Sequence, residues 1–405
     1  MSQVWGSGNM RGMQRSKTVI SPALVMLVCG IVAALHVGKL PTTLPVLREA
    51  FGLSLVQSGF LLSIVLLAGM SLALLLGTWA NALGLRRCMQ AGLLVLMVGS
   101  AAGALAESAL QLMLARAVEG LGFLLVVLTA PPLIRHHVSP AQLQVALGSW
   151  GAFMPAGNAL ALLIGPWVVA WASWQTWWWV LAACALAWVL VFRSQIPPEA
   201  ASPAPVAWRD ILRLTLRSPG PWLVALTFGS YSLQWLAVIG FLPSMYAQAG
   251  LDVRSAGALT ALVSLVNIVG NVASGWLLQR GVSARKLLLT GFACMALGAW
   301  VSFGWSDTLP PLARYGAILL FSAVGGLIPG TLFNLAVQVA PAPQAVPASV
   351  GWMLQWSFIG QFAGPPLVAW VAQMQGGWNQ TWWVTVGACG VGGVLASLLR
   401  LPAKS

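Results

Sequence analysis

Apolar residues along this chain gather into long uninterrupted runs separated by short polar joints. A run of about 20 residues crosses a hydrocarbon core of about 30 Å as a helix. Only a helix or a closed barrel satisfies its backbone polar groups there. The runs lie at 19–45, 55–80, 88–107, 110–134, 142–171, 176–193, 220–247, 256–279, 286–305, 312–338, 346–373 and 380–399. They predict an all-α membrane protein with twelve transmembrane helices. The longest polar interruption is 194–219. Its Pro/Ala/Ser-rich half reads as a linker, and its WRDILRLTLR half as a short basic amphipathic helix on the membrane face. The predicted organisation is a tail at 1–17, a six-helix bundle at 18–193, a linker at 194–219, a second six-helix bundle at 220–400 and a tail at 401–405.

Composition supports that pattern. Apolar residues make up 59% of the chain and charged ones 7%, too few charges to solvate the surface of a soluble domain of this length. The formal charge of +13 raises the prospect of nucleic acid. The basic residues, however, sit at the ends of apolar runs rather than in patches with aromatics, so nucleic acid is not expected as a partner. One set of joints and tails holds Arg11, Arg15, Lys17, Arg86, Arg87, Arg135, Arg193, Arg209, Arg213, Arg217, Arg280, Arg285, Lys286, Arg400 and Lys404, and the opposite set only Arg48, Arg254 and Arg314. The richer side is expected to be cytoplasmic, with both termini on it. The first run reads as a retained helix rather than a cleaved signal.

Cys29, Cys88, Cys184, Cys294 and Cys389 are odd in number and fall in or beside apolar runs, with no CxxC. No disulfide framework, metal site or cofactor is expected. His136 and His137 are adjacent, which is not a metal spacing on a helix. No GxxxxGK[ST] loop and no hydrolytic triad occurs, so neither ATP-driven transport nor enzyme activity is expected.

The two halves echo each other. Gln175-Thr176-Trp177-Trp178 returns as Gln380-Thr381-Trp382-Trp383, Cys184 as Cys389, and Gly165-Pro166 as Gly364-Pro365. Gly77 with Arg86-Arg87 returns as Gly275 with Arg285-Lys286. Two pseudo-symmetric six-helix bundles are the architecture of a transporter that rocks about a midplane site.

The segment GTWANALGLRR (77–87) is similar to the signature between helices two and three of the major facilitator superfamily, and LMLARAVEGLG (112–122) to its fourth-helix signature. The fifth helix, 148–166, resembles the Gly-Pro signature more loosely, and the seventh helix, 228–250, with WQTWWW of the sixth, resembles the cyanate and nitroimidazole permease branch. The resemblance covers residues 18–400 and implies alternating access, with Gly77, Asn81, Gly84, Arg86 and Arg87 in the inner gate. Asn81 stands where the family has aspartate and Ala82 where it has a basic residue.

Charges inside the spans are few: Lys39, Arg116 and Glu119, with titratable His36. A cation in a membrane helix costs about 2.5–3.5 kcal/mol on insertion scales, so it usually has a partner or lines a polar cavity. Spacing of three places His36 with Lys39, and Arg116 with Glu119, on one helix face each. Lys39 lies about six residues from the outer end of its helix and Arg116 about six from the outer end of its own, which places them at similar depth. With His36 neutral the group sums to one positive charge, and a small anion, a small carboxylate or similar ion, is expected to complete it. Each residue has a plainer alternative: Arg116 and Glu119 as a structural pair, Lys39 snorkelling to headgroups, His36 as a packing residue.

Glu119 is the candidate proton-coupling group. The resemblance adds Tyr231, Gln234, Trp235 and Asn334 as candidate substrate contacts, from helices that line the family's cavity; interhelical hydrogen bonding is the alternative for each. The expected protein is a monomeric secondary transporter of the bacterial inner membrane, taking up a small anionic solute with protons as the coupling ion. Proton-antiport efflux of a drug or metabolite is the alternative, with a non-transporting sensor behind both. The glycines of helices five and eleven are expected to form the sliding interface between halves, and the tryptophans at 167–179 and 378–383 to anchor at the outer interface.

Overall fold

The structure, a computed structural model, describes residues 20–53, 55–197, 207–251, 253–305, 308–375 and 377–399. The expected tails at 1–17 and 401–405 and most of the Pro/Ala/Ser linker lie outside the described residues. In the first half the helices are α1 (Pro22–Phe51), α2 (Leu55–Leu83), α3 (Leu85–Ala104), α4 (Ala109–His137), α5 (Pro140–Trp150), α6 (Phe153–Trp171) and α7 (Trp174–Gln195). After α8 (Trp208–Arg217) come α9 (Pro219–Gln248), α10 (Val253–Gln279), α11 (Ala284–Ala299), α12 (Pro311–Gly325), α13 (Leu327–Gln338), α14 (Val346–Met374) and α15 (Trp382–Leu398). The fold is all-α, two bundles of six membrane-crossing helices.

Two crossings are stepped rather than straight. α5 and α6 form one span, Pro140–Trp171, and α12 and α13 another, Pro311–Gln338. The steps fall at Gly151–Ala152 and at Gly326, where backbones from the other crossings come close. α1 runs unbroken past Pro41, and the Thr43 hydroxyl donates to the Lys39 carbonyl at 3.0 Å. Among the described residues, eleven crossings are apolar enough to be recognised by hydropathy alone. The twelfth, α14, carries Gln355, Ser357, Gln361, Pro365 and Pro366, which lower its mean hydropathy.

The side from which α1 starts is termed proximal, the other distal. Contacts within the first half join α3 to α4 and α7, and α1 to α4, α6 and α7; in the second, α9 packs on α14 and α15, and α11 on α12 and α15. Between the halves α2 meets α14, and α10 meets α5 and α6. Several close approaches across this seam are made by glycine towards the proximal side, while Gly69 meets Phe358 nearer mid-depth. A Cβ on Gly77 would come 2.5 Å from the Pro347 carbonyl, and one on Gly275 2.5 Å from the Gln144 carbonyl. Gly351 faces Ala73 and Gly148 faces Gly275 in the same way. Small residues are what allow backbones to approach so closely in a bilayer.

Three of the glycines expected in this interface do something else. Gly360 and Gly364 face Gly229 and Leu233 of α9, and Gly157 faces α1, each within its own half. α8 is amphipathic as expected. Ile211 packs with Leu74, Ala345 and Ala348 across the seam of α2 and α14. Arg209, Arg213 and Arg217 are exposed, spaced four apart.

Candidate functional site

Four helices of the first half converge on one carboxylate. Ser108 caps the start of α4, accepting from the Gln111 amide at 3.3 Å, and the spacing of three then turns Arg116 and Glu119 to one face. The same spacing on α1 brings His36 and Lys39. All four side chains are fully buried.

Glu119 Oε1 accepts from Lys39 Nζ and lies 3.0 Å from His36 Nδ1. Glu119 Oε2 lies 2.5 Å from Arg116 Nη1, which also donates to the His36 carbonyl at 2.6 Å. α3 and α7 complete the shell. Lys39 Nζ donates to Ser100 Oγ at 2.9 Å, Ser100 Oγ donates to the Trp178 carbonyl at 2.8 Å, and Nζ stands 3.4 Å over the Trp178 ring. A desolvated cation over an indole face gains about 2 kcal/mol. Gly99 and Gly103, one turn apart on α3, make room: a Cβ on Gly99 would meet Glu119 Cγ at 2.7 Å, and one on Gly103 would enter the Trp178 ring.

Two cations against one carboxylate leave the cluster with one positive charge while His36 is neutral. Arg116 Nε and Nη2 and His36 Nε2 are buried without a hydrogen-bond partner. Buried charge is tolerated only when paired and hydrogen-bonded, so these atoms mark where the cluster is incomplete.

A separate cavity of about 60 Å³ lies between the halves near mid-depth. Phe123 of α4 and Phe153 of α6 face Phe228, Tyr231 and Trp235 of α9 and Phe333 of α13 across it. Tyr231 stacks on Phe228 at 6.0 Å and on Trp235 at 6.5 Å between ring centroids. The polar lining is Ser232, Asn267, Ser357 and Gln361. Ser232 and Ser357 hydroxyls are 2.7 Å apart, Gln361 Nε2 donates to Ser357 at 3.1 Å, and Asn267 Nδ2 donates to the Tyr231 hydroxyl at 3.3 Å. No charged residue is among the described residues lining it.

The candidate residues thus divide. His36, Lys39, Arg116 and Glu119 meet in one cluster, and Tyr231 and Trp235 lie in the cavity wall. Gln234, beside them in sequence, faces α15, where its Oε1 accepts from Cys389 Sγ at 3.0 Å. Asn334 Nδ2 donates across the seam to the Gln144 carbonyl at 3.1 Å and to Gly330 at 3.0 Å. Of the gating candidates, Gly77 lies in the seam, and Gly84 makes the α2–α3 turn with φ of 84°. Arg86 donates to the carbonyls of Ile196 and Arg193 at 2.8 and 3.0 Å, closing the end of α7, while Arg87 is exposed. The Asn81 side chain lies outside the described residues.

Sequence reasoning missed Ser100, Trp178 and the phenylalanines of the cavity. Trp178 falls in the 167–179 cluster expected to anchor at the outer interface. That fits Trp167 and Trp171, which are 77% and 94% exposed, but Trp174, Trp177 and Trp178 are buried. The one signal for the shell was Gly99-Ser100 with Gly103, a small-residue stretch on α3 opposite the charged face of α4.

Two six-helix bundles with a cavity at their seam define a transporter. The chain belongs to the Major Facilitator Superfamily, whose family model matches residues 26–362. It is 25% identical to the cyanate transport protein CynX of Escherichia coli over 76% of this chain and 77% of that one. It is 26% identical to the 2-nitroimidazole transporter of Escherichia coli over 83% of this chain and 84% of that one. The fold matches the proton:xylose symporter XylE, with a TM-score of 0.76 at 13% identity, covering 94% of this chain and 95% of that one. It also matches FucP in the outward conformation, with a TM-score of 0.73 at 15% identity, covering 94% and 99%. The protein is a multi-pass membrane transporter of a small-molecule solute, not an enzyme.

Proposed function

We propose that the chain takes up a small anionic solute across a bacterial inner membrane by alternating access, with protons as the coupling ion. The observation that carries this reading is the buried cluster around Glu119, which holds two cations, one carboxylate and donors left without partners. An anion entering there balances the charge and meets those donors. Relatives named for cyanate and 2-nitroimidazole transport support a small solute, and cyanate is an anion. The Lys/Arg bias makes the proximal side cytoplasmic with both termini on it. The glycine contacts then close the inner end, and Gly77, Asn81, Gly84, Arg86 and Arg87 form the gate that must open. Glu119 is the proton-coupling group, and the bundle works as a monomer.

Substrate contacts divide between two levels: His36, Lys39 and Arg116 above, Tyr231 and Trp235 in the cavity. Gln234 and Asn334 act through neighbouring helices. The test is uptake by the purified protein in liposomes against a panel of small anions. Saturable uptake that Lys39→Ala removes supports the reading; absence of saturable uptake for every anion, with Lys39→Ala behaving as wild type, ends it.

A second reading, proton-antiport efflux of an uncharged aromatic drug or metabolite, is favoured by the aromatic, uncharged cavity wall. In that case Glu119→Gln stops proton-driven export while leaving solute binding in place.

A further inference from the structure

The unpartnered atoms of Arg116 are not scattered. Its Nη1 is fully used, by Glu119 Oε2 and by the His36 carbonyl. The two nitrogens left over, Nε and Nη2, form one edge of the planar guanidinium, with parallel N–H bonds. Such an edge is built for two oxygens held in a plane, and it binds a carboxylate through two hydrogen bonds at once. A linear anion has one terminal acceptor for that edge and uses half of it.

The position of the edge along α4 matters too. Arg116, Glu119, Phe123 and Val127 fall on one stripe of the helix at intervals of three and four. Phe123 and Val127 line the cavity between the halves. Seven residues separate Arg116 from Phe123, about 10 Å of helix rise, or two turns distal of the cavity wall. Long helical side chains lean towards the helix start, so Phe123 covers the turn between cavity and cluster. Its ring already packs against Phe153 at 6.4 Å and Phe358 at 6.0 Å, one from each half. The charged edge and the aromatic chamber are therefore consecutive stations on one helix face, with one phenylalanine between them.

We infer that Arg116 offers its Nε–Nη2 edge to a planar two-oxygen group, so that the transported anion is a monocarboxylate rather than a linear anion. This rests on the anionic reading above and narrows it. One carboxylate balances the excess charge of Lys39 and Arg116 over Glu119. Lysine in place of Arg116 keeps the charge and loses the fork, which separates geometry from electrostatics.

The test is thermal-shift titration of the purified full-length protein with acetate, benzoate, benzamide and thiocyanate. The carboxylates should stabilise the wild type at concentrations at least tenfold below thiocyanate. Arg116→Lys should weaken carboxylate binding tenfold or more and thiocyanate binding less than threefold. Thiocyanate binding the wild type as tightly as the carboxylates overturns the inference while leaving an anionic solute in place. So does Arg116→Lys binding carboxylates as well as the wild type. Stabilisation by benzamide alone overturns both this inference and the anionic reading. If Arg116→Lys does not fold, the ranking of the ligands on the wild type decides.

Discussion

The two halves share a scaffold and differ in chemistry, and the difference is concentrated at one end. Towards the proximal side they are near copies. Gly77 meets Pro347 and Ala348 as Gly275 meets Gln144 and Val145, and Gly351 meets Ala73 as Gly148 meets Gly275 and Asn271. Distally the likeness stops. Arg116 and Glu119 correspond to Ser322 and Gly325, each 206 positions later (322 − 116 and 325 − 119). There Asn267 donates to the Ser322 carbonyl at 2.7 Å, and neither counterpart position carries a charge. Closing the proximal end needs shape alone, which a duplicated chain supplies twice. Holding a buried charge needs a particular set of side chains, and one copy suffices.

The largest expected effect comes from removing the shared carboxylate. Glu119→Ala leaves Lys39 and Arg116 facing each other in a dry interior, which should cost about 3–5 kcal/mol. Its counterpart Gly325→Ala places a Cβ 2.9 Å from Met295 Sδ, the flexible part of a yielding side chain, and should cost about 1 kcal/mol. Denaturation of both variants in the same detergent checks this. Equal losses would remove the asymmetry on which the comparison stands.

Next in size is the seam. Gly148→Leu and Gly77→Leu each drive a side chain into backbone of the opposite half, so the proximal contact cannot close. Solute turnover should fall more than tenfold in either, and spin labels placed across the proximal side should report a longer separation. Overpacking of this kind typically costs 1–3 kcal/mol of the affected state. If only one member of the pair alters the distance, the seam is less symmetric than its glycines indicate.

A smaller effect is expected at Trp178. Trp178→Leu removes the ring under Lys39 but leaves the Ser100 bond to the backbone carbonyl. The loss should be about 2 kcal/mol, and Trp383→Leu, its repeat in the second half and 46% exposed, should lose less than half as much. Matching losses would mean that the ring serves packing, not the cation.

These contrasts also explain what was legible from sequence. Long apolar runs report the crossings, because a bilayer imposes length and polarity together. The charged quartet was legible because ions are rare inside spans, and helical spacing with depth sets His36 and Lys39 against Arg116 and Glu119. The cavity was not. Phenylalanine is ordinary in an apolar run, and nothing local separates Phe123 or Phe333 from rings that face lipid. Trp178 was hidden among 22 tryptophans, since repeat and composition cannot tell a ring under an ammonium from one at an interface. Gln234 and Asn334 were expected at the solute because their helices line the cavity, but which side of a helix a residue faces depends on rotation, which polar content does not fix.

Asn334 gives the finest test. Its amide bridges α13 to the Gln144 carbonyl across the seam, and the position 206 earlier in the first half is Leu128, which sits 3.2 Å from where a Cβ on Gly351 would be. One half therefore spans the seam with a hydrogen bond where the other uses a methyl contact. Interhelical hydrogen bonds in bilayers average about 0.6 kcal/mol, so Asn334→Leu should shift the balance from proximally closed towards open by less than threefold. Solute affinity measured on the closed form should stay the same. A fall in affinity with an unchanged conformational balance would place Asn334 at the solute after all, and would extend the distal asymmetry of the halves down to the seam.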